Sequence, residues 1–315
     1  MTVPSYDVAV VGGGAAGLSA AVALARSLRS VVVLDAGEPR NAPATGAHNL
    51  LGREGVSPLE LLDEGRREAE GYGAQVRAGR AVDVRRSDAG FELGLADGST
   101  LRARRLLLAT GLVDELPEVP GVRELWGRDV LHCPYCHGWE VRGRRIGVLG
   151  TGPMTAHQAL LFRQLSEGVT VFLHSGPDLE AEAAEQRDAL DVPVVRGPVA
   201  RLSVEDDRLT GVVLADGRTV ALDAVAVGPR MRSRDELWSQ LGGTLTEHPM
   251  GAFIDADAQG RTALPGVWVA GNSRDLSAMV GMSAAQGVFA GAAINADLVM
   301  EEAQAAVRGV RAALV

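Results

Sequence analysis

The chain has 315 residues, 46% hydrophobic and 23% charged, a balance that suits a soluble globular protein long enough for two domains. A formal charge of −9, with arginine as the only strong base and no dense basic block, excludes nucleic acid as a partner. No apolar run reaches the roughly 20 residues a membrane helix needs, and the N-terminus lacks a basic stretch followed by a long apolar one; we expect a cytoplasmic protein, with no membrane contact.

In chain order, Val8–Val11 is an apolar run fit for a buried parallel strand. A glycine turn follows, then an Ala-rich helix over Ala15–Leu28 and a β-branched strand over Ser30–Leu34, closed by Asp35. Gly12, Gly14 and Gly17 form G-x-G-x-x-G between strand and helix. The first closes the turn, the second admits a pyrophosphate to the backbone, and the third lets helix and strand pack closely. The helix N-terminus supplies the field that favours the phosphates. Asp35 stands where a carboxylate accepts hydrogen bonds from an adenosine ribose. Next comes a hairpin turning at Asp97-Gly98, whose second strand ends in Ala109-Thr110-Gly111.

The same organisation returns in the second half. Ile146–Leu149 reads as a strand, Gly150–Gly152 as a turn, Thr155–Leu165 as a helix and Val169–Leu173 as a strand, with a later hairpin at Asp216-Gly217. The tail is a strand, a glycine turn and a long helix of small residues. The fold class is therefore α/β, with two Rossmann-like dinucleotide-binding domains (three-layer ββα) and crossings near Leu116–Gly121 and Glu247–Ala252. The second glycine motif is the weaker one. Thr155 holds its third position, and after Leu173 there is neither a carboxylate for a ribose nor an arginine for a 2′-phosphate. His174 reads as a surface residue at a strand end. We expect this fold to persist while nicotinamide binding is weakened.

Both cysteines lie in one stretch, His132-Cys133-Pro134-Tyr135-Cys136-His137-Gly138. Three readings stand. A zinc site needs about four ligands and finds no second cysteine pair. A thioredoxin-like CxxC belongs to a small domain, after its N-terminal strand, whereas this one lies mid-chain. The surroundings favour the third reading, a redox disulfide working beside a flavin and exchanging with substrate thiols. Metal ligands are therefore not expected. Trp126, Tyr135 and Trp139 either line an apolar pocket or pack near a domain hinge.

Together these residues give a layout that resembles the low-molecular-weight thioredoxin reductases across nearly the whole chain. The resemblance implies an FAD-binding domain over 1–117 and 247–315, split by an inserted NAD(P)-binding-like domain over 118–246 that carries the CxxC. Within that family, Cys-Pro-Tyr-Cys-His-Gly and the stretch Gly37–Pro43 look like the natural-product dithiol oxidases of the gliotoxin and holomycin type. Ordinary reductases carry an acidic residue where His137 stands. The resemblance implies FAD as cofactor, a small dithiol as substrate, dioxygen as acceptor and a homodimer. It places Asn49 beside the flavin ring, and Thr110 and Gly111 in the turn at the domain crossover. Gly271 matches the late FAD motif, with Asn272 in place of the usual Asp. A helix starting near Ser283 is expected to point its N-terminus, around Ala285 and Gln286, at the flavin.

The implied reaction has a substrate thiolate attack Cys133 while Cys136 passes electrons to the flavin. His137, or else His132, moves the protons, because imidazole titrates near neutral pH. An NADPH-dependent thioredoxin reductase, a reductase fed by another donor and a non-catalytic redox sensor are the alternatives.

Overall fold

The computed structural model describes residues 3–314. The chain divides into two compact units, the first made of Met1–Ala42, Ser57–Val113 and Met231–Val315, the second of Pro43–Val56 and Asp114–Arg230.

The first unit opens with β1 (Ser5–Val11), α1 (Ala15–Arg26) and β2 (Val31–Asp35), the βαβ unit expected from the glycine motif. α2 (Pro58–Gly71) leads into β3 (Gln75–Ala78), β4 (Ala81–Ser87), β5 (Gly90–Leu95) and β6 (Thr100–Leu108). The main sheet runs in the order β3-β2-β1-β6-β5-β4. β1, β2, β3 and β6 are parallel, whereas β4 and β5 join antiparallel through the hairpins. Val8, Val10 and Val33 face α1 in one fully buried cluster with Trp268 and Ile294; Ala9, Phe91 and Leu106 build a second on the other face. This two-sided burial is why β1 and β2 read as unbroken apolar runs.

The chain leaves this unit within β7 (Leu112–Glu115) and returns within β16 (Arg230–Ser233). The boundary expected after residue 246 is therefore displaced to Arg230/Met231, and the earlier one lies at Val113/Asp114. The reason is α6 (Glu236–Gln240). Its Leu237 and Trp238 are buried in the cluster of Phe91 and Leu93, and Gln240 bonds the backbone of Val82 and Val84. After it come β17 (Thr246–His248), β18 (Gly251–Phe253), β19 (Val267–Val269) and α7 (Val280–Ala313). β19 adds to β6 in parallel. α7 begins at Val280, earlier than expected, and its Gly287 lies so close to α1 that a Cβ there would overlap the Ala16 carbonyl oxygen.

The second unit repeats the βαβ theme. Its parallel sheet runs β11 (Val194–Val195), β10 (Val169–Phe172), β9 (Ile146–Leu149), β15 (Ala224–Val227), β8 (Val130–Leu131). α3 (Pro134–His137) follows β8, while α4 (Thr155–Arg163) and α5 (Ala181–Ala189) follow β9 and β10. β12 (Val199–Glu205), β13 (Arg208–Leu214) and β14 (Thr219–Ala221) form an antiparallel sheet, with Asp216-Gly217 at its second turn. Phe162 and Phe172 anchor its two cores. Among the described residues, no helix is long and apolar enough to cross a membrane.

Candidate active site

In the first unit the glycine turn is shaped by close approach. A Cβ on Gly12 would overlap the Ala109 carbonyl oxygen, and one on Gly17 the Gly12 carbonyl oxygen. Gly12 also has φ +114°, which disfavours L side chains. Gly13, which the motif leaves unassigned, has the Asp35 carboxylate against it. Gly14, by contrast, has open space where its Cβ would be, and it caps α1 without any side-chain hydrogen bond. The first N–H groups of α1 are thus left for an external acceptor. Asp35 accepts from Gly37 N (2.9 Å) and from Arg66 (2.9 Å). A carboxylate has about four lone-pair sites, so acceptor capacity remains for ribose hydroxyls. These features fit FAD.

Of the other residues expected around the cofactor, Thr110, Gly111, Gly271, Asn272 and Gln286 are hydrogen-bonded within this unit. Gly111 N donates to Ser273 Oγ (2.7 Å), and Thr110 Oγ1 donates to the Arg234 carbonyl (3.0 Å). Ser273, fully buried, also has its Oγ 3.2 Å from Thr110 Oγ1 and was not legible as a site residue. Gly271 N donates to Gln286 Oε1 (2.9 Å), whose Nε2 donates to Asp275 (3.1 Å). Asn272 Nδ2 donates to the carbonyls of Asp275 and Ala278, while its Oδ1 accepts from Arg40 (3.3 Å). One expectation needs correction. Because α7 starts at Val280, Ala285 and Gln286 lie in its second turn, where backbone N–H groups belong to the helical ladder. Gln286 acts on the turn at Gly271 through its side chain.

In the second unit, Cys133 and Cys136 form a disulfide with Cα atoms 5.2 Å apart. Cys133 is the N-cap of α3, its Sγ accepting from Cys136 N at 3.2 Å, and Pro134 occupies the first helical position. A Cβ at Gly138 would overlap the Pro134 carbonyl and the Leu165 side chain, which explains the glycine after His137. His132 is committed to structure: Nδ1 bonds the Val227 carbonyl (3.1 Å), and its own carbonyl accepts from buried Gln158 (2.8 Å). His137 is half-buried, and that burial pushes its imidazole below the ordinary histidine range. Nearby Glu140 opposes the shift, and the charges of His48 and Arg144 reinforce it.

Asn49 lies in this unit, with φ +59°, and its Nδ2 donates to the Tyr135 carbonyl between the two cysteines at 2.6 Å. Its neighbour His48 bonds Glu54 through Nδ1 (2.6 Å), with Nε2 at 3.4 Å from Glu140. Loop 47–56 is closed on itself by Ala47 N to the Val56 carbonyl (2.8 Å) and Gly55 N to the Ala47 carbonyl (2.9 Å). Trp126 packs against the core of Leu125 and Phe172. Tyr135 and Trp139 are instead exposed (65% and 66%), with the Arg142 guanidinium 3.8 Å above the Trp139 ring. Among the described residues, no three His, Cys, Asp or Glu side chains gather as a metal site.

The second glycine turn differs from the first. His174 is no free surface residue: φ is +41°, and its Nδ1 accepts from Val199 N at 3.0 Å. Burial keeps its ring below the ordinary histidine range. Two residues on, Gly176 N donates to the Gly150 carbonyl (2.9 Å) and the Leu173 carbonyl (2.7 Å). The loop after β10 is thus hydrogen-bonded to the glycine turn, while Gly152, like Gly14 in the first unit, has open space where its Cβ would be. Arg196, just after β11, is paired with Asp178. By the matching bonds of Gly12 N to the Leu34 carbonyl and Gly150 N to the Phe172 carbonyl, Leu173 stands where the first unit has Asp35, so the carboxylate that holds a ribose there has no counterpart at that position.

The sequence pattern of the pyridine nucleotide-disulphide oxidoreductases matches residues 6–308. Thioredoxin reductase tcpT of Claviceps purpurea is 33% identical over 281 residues, 85% of this chain and 86% of that protein. Thioredoxin reductase aclD of Aspergillus oryzae is 31% identical, over 96% of this chain and 99% of its own. Among solved structures, HlmI superposes with a TM-score of 0.92 at 46% identity, covering 99% of this chain and 98% of that one. An oxidoreductase from Agrobacterium tumefaciens gives 0.89 at 35% identity, over 94% and 99%.

Proposed function

The chain belongs to the pyridine nucleotide-disulphide oxidoreductases, and we propose that it is a cytoplasmic dithiol oxidase closing an intramolecular disulfide in a small dithiol. FAD is its cofactor. The observation that carries the reading is the second glycine turn, to which Gly176 is bonded and where Leu173 occupies the position that Asp35 holds in the first. A nicotinamide-fed reductase needs that site; an enzyme that draws electrons from its thiol substrate does not. The resemblance of Cys133–Gly138 to the dithiol oxidases points the same way.

In the proposed reaction His137 takes the first proton. Its depressed affinity leaves it unprotonated near neutral pH, ready to act as base for a substrate thiol. The resulting thiolate attacks Cys133 Sγ; the Cys133–Cys136 bond breaks and Cys136 leaves as a thiolate. The second substrate thiolate then attacks the substrate sulfur of the mixed disulfide and expels Cys133. At this step Cys136 N, aimed at Cys133 Sγ, stabilises the charge on the leaving sulfur. Two electrons and two protons have left the substrate, and the product is a cyclic disulfide. Bound FAD supplies the two-electron exchange that carries this pair on to dioxygen, giving hydrogen peroxide.

The test is anaerobic. The yellow protein is mixed either with dithiothreitol or with NADPH, the flavin absorbance is followed, and air is then admitted. We expect bleaching by the dithiol alone, reversed by air with one peroxide per flavin. Rapid bleaching by NADPH, with none by the dithiol, would make the enzyme a reductase.

A further inference from the structure

We propose that His48 is a positioning residue for the thiol chemistry at Cys133–Cys136: it links Glu54 to Glu140, seating loop 47–56 on the CxxC segment and holding Glu140 near His137. The geometry is specific. His48 Nδ1 donates to Glu54 Oε1 at 2.6 Å, and Nε2 stands 3.4 Å from Glu140 Oε1. Glu54 Oε2 in turn accepts from Asn49 N at 2.9 Å. That bond fixes the backbone from which Asn49 Nδ2 reaches the Tyr135 carbonyl. One carboxylate therefore organises both His48 and Asn49, and both side chains reach the redox segment, one at Tyr135 and one at Glu140.

Carboxylates accept but do not donate, and each ring nitrogen of His48 faces one. A neutral ring satisfies one contact; an imidazolium satisfies both. The charge then matters at His137, which is faced by Glu140 on its own segment, His48 from the loop, and Arg144 and Asp129 from the flanking chain. Glu140 and Asp129 favour its protonated form, while His48 and Arg144 oppose it. His48 and Glu140 thus act on His137 in opposite directions, and the 3.4 Å contact joins the two. His48 is three-quarters shielded from solvent and Glu54 is 64% exposed, so the chain of groups runs from the half-buried His137 outward.

The use of His137 as a base rests on the dithiol-oxidase reading, whereas the linkage among His48, Glu54 and Glu140 does not. The two are tested separately. The flavin-loaded protein, labelled at histidine, is titrated by NMR as wild type, His48→Gln and Glu140→Gln. With His48→Gln, which keeps a hydrogen-bonding side chain without charge, the His137 midpoint should rise by about half a pH unit. With Glu140→Gln it should fall. Dithiol oxidation followed against pH should show its acid limb moving in the same directions. A His137 midpoint in His48→Gln coincident with wild type overturns the proposal, as does a fall. Glu140→Gln, lying outside the loop, keeps the question decidable if His48→Gln misfolds, because a midpoint that does not fall also overturns it. If wild type oxidises no dithiol, the functional reading fails while the His137 titration still decides the role of His48.

Discussion

At the redox site the two sulfurs are distinguished by the backbone rather than by exposure. Both cysteines are half-buried, but only Cys133 has a backbone N–H aimed at its sulfur. In the Cys136→Ser variant the Cys133 thiol should retain attack on a cyclic disulfide and hold one opened substrate as a mixed disulfide. Intact-mass measurement should show that adduct. Cys133→Ser should show none, and each should lose about a thousandfold or more in dithiol oxidation. An adduct on Cys133→Ser but not on Cys136→Ser would reverse the order of the two cysteines. His132 does not compete for the acid–base role on equal terms, since its Nδ1 proton is committed to the Val227 carbonyl.

At the scale of elements, α7 is fastened to the sheet by charge as well as packing. Arg105 on β6 pairs with Asp297 and Glu301, and Arg104 with Asp7, Glu301 and Glu302. Arg29 adds Glu302 from the turn after α1. Hydrogen bonds from Arg29 and Arg104 hold the Glu302 carboxyl down to about 2. A carboxylate with a depressed value contributes stability above its unfolded value, near 4.3, and loses it as pH falls toward the folded one. The melting temperature should therefore drop between about pH 4.5 and pH 2. Glu302→Gln should flatten part of that drop in a circular-dichroism melt series; an unchanged slope would assign the acid sensitivity elsewhere. Exposure of Glu302 keeps the effect modest.

At the scale of the whole molecule, each unit has cores of its own. Trp268, Phe91 and Trp238 are buried in the first, Phe162 and Phe172 in the second. The glycine turn that fits FAD lies in the first unit alone. Adding FAD to stripped protein should therefore raise the thermal transition of the first unit, by about 2.7 kcal/mol at a hundredfold excess over Kd. Calorimetry would show one transition moving and a second staying put. If both move together, the units unfold as one body. NADPH should shift neither.

How much could be read in advance follows the range of the interactions. Gly12, Gly14, Gly17 and Asp35, the two βαβ units, the hairpins at Asp97-Gly98 and Asp216-Gly217, and the CxxC all announce themselves within short windows. There, apolar runs and glycine spacing constrain the backbone locally. Other features depend on partners far along the chain. Asn49 meets Tyr135 across a separation of 86 residues, and Gly111 meets Ser273 across 162. Nothing in "GAHNLLGREG" says that loop 47–56 folds with the second unit, or that His48 will find Glu140. Nor does the stretch after Leu173 show that Gly176 turns back onto Gly150. The amino-acid sequence by itself determined the nucleotide-binding architecture and the redox pair, because both are written in local backbone requirements. Only the tertiary structure decided which unit holds each connecting segment, that His132 is bonded to the Val227 carbonyl, and that Gly176 turns back onto Gly150. Those outcomes come from long-range hydrogen bonds and burial, which leave no local pattern in the chain.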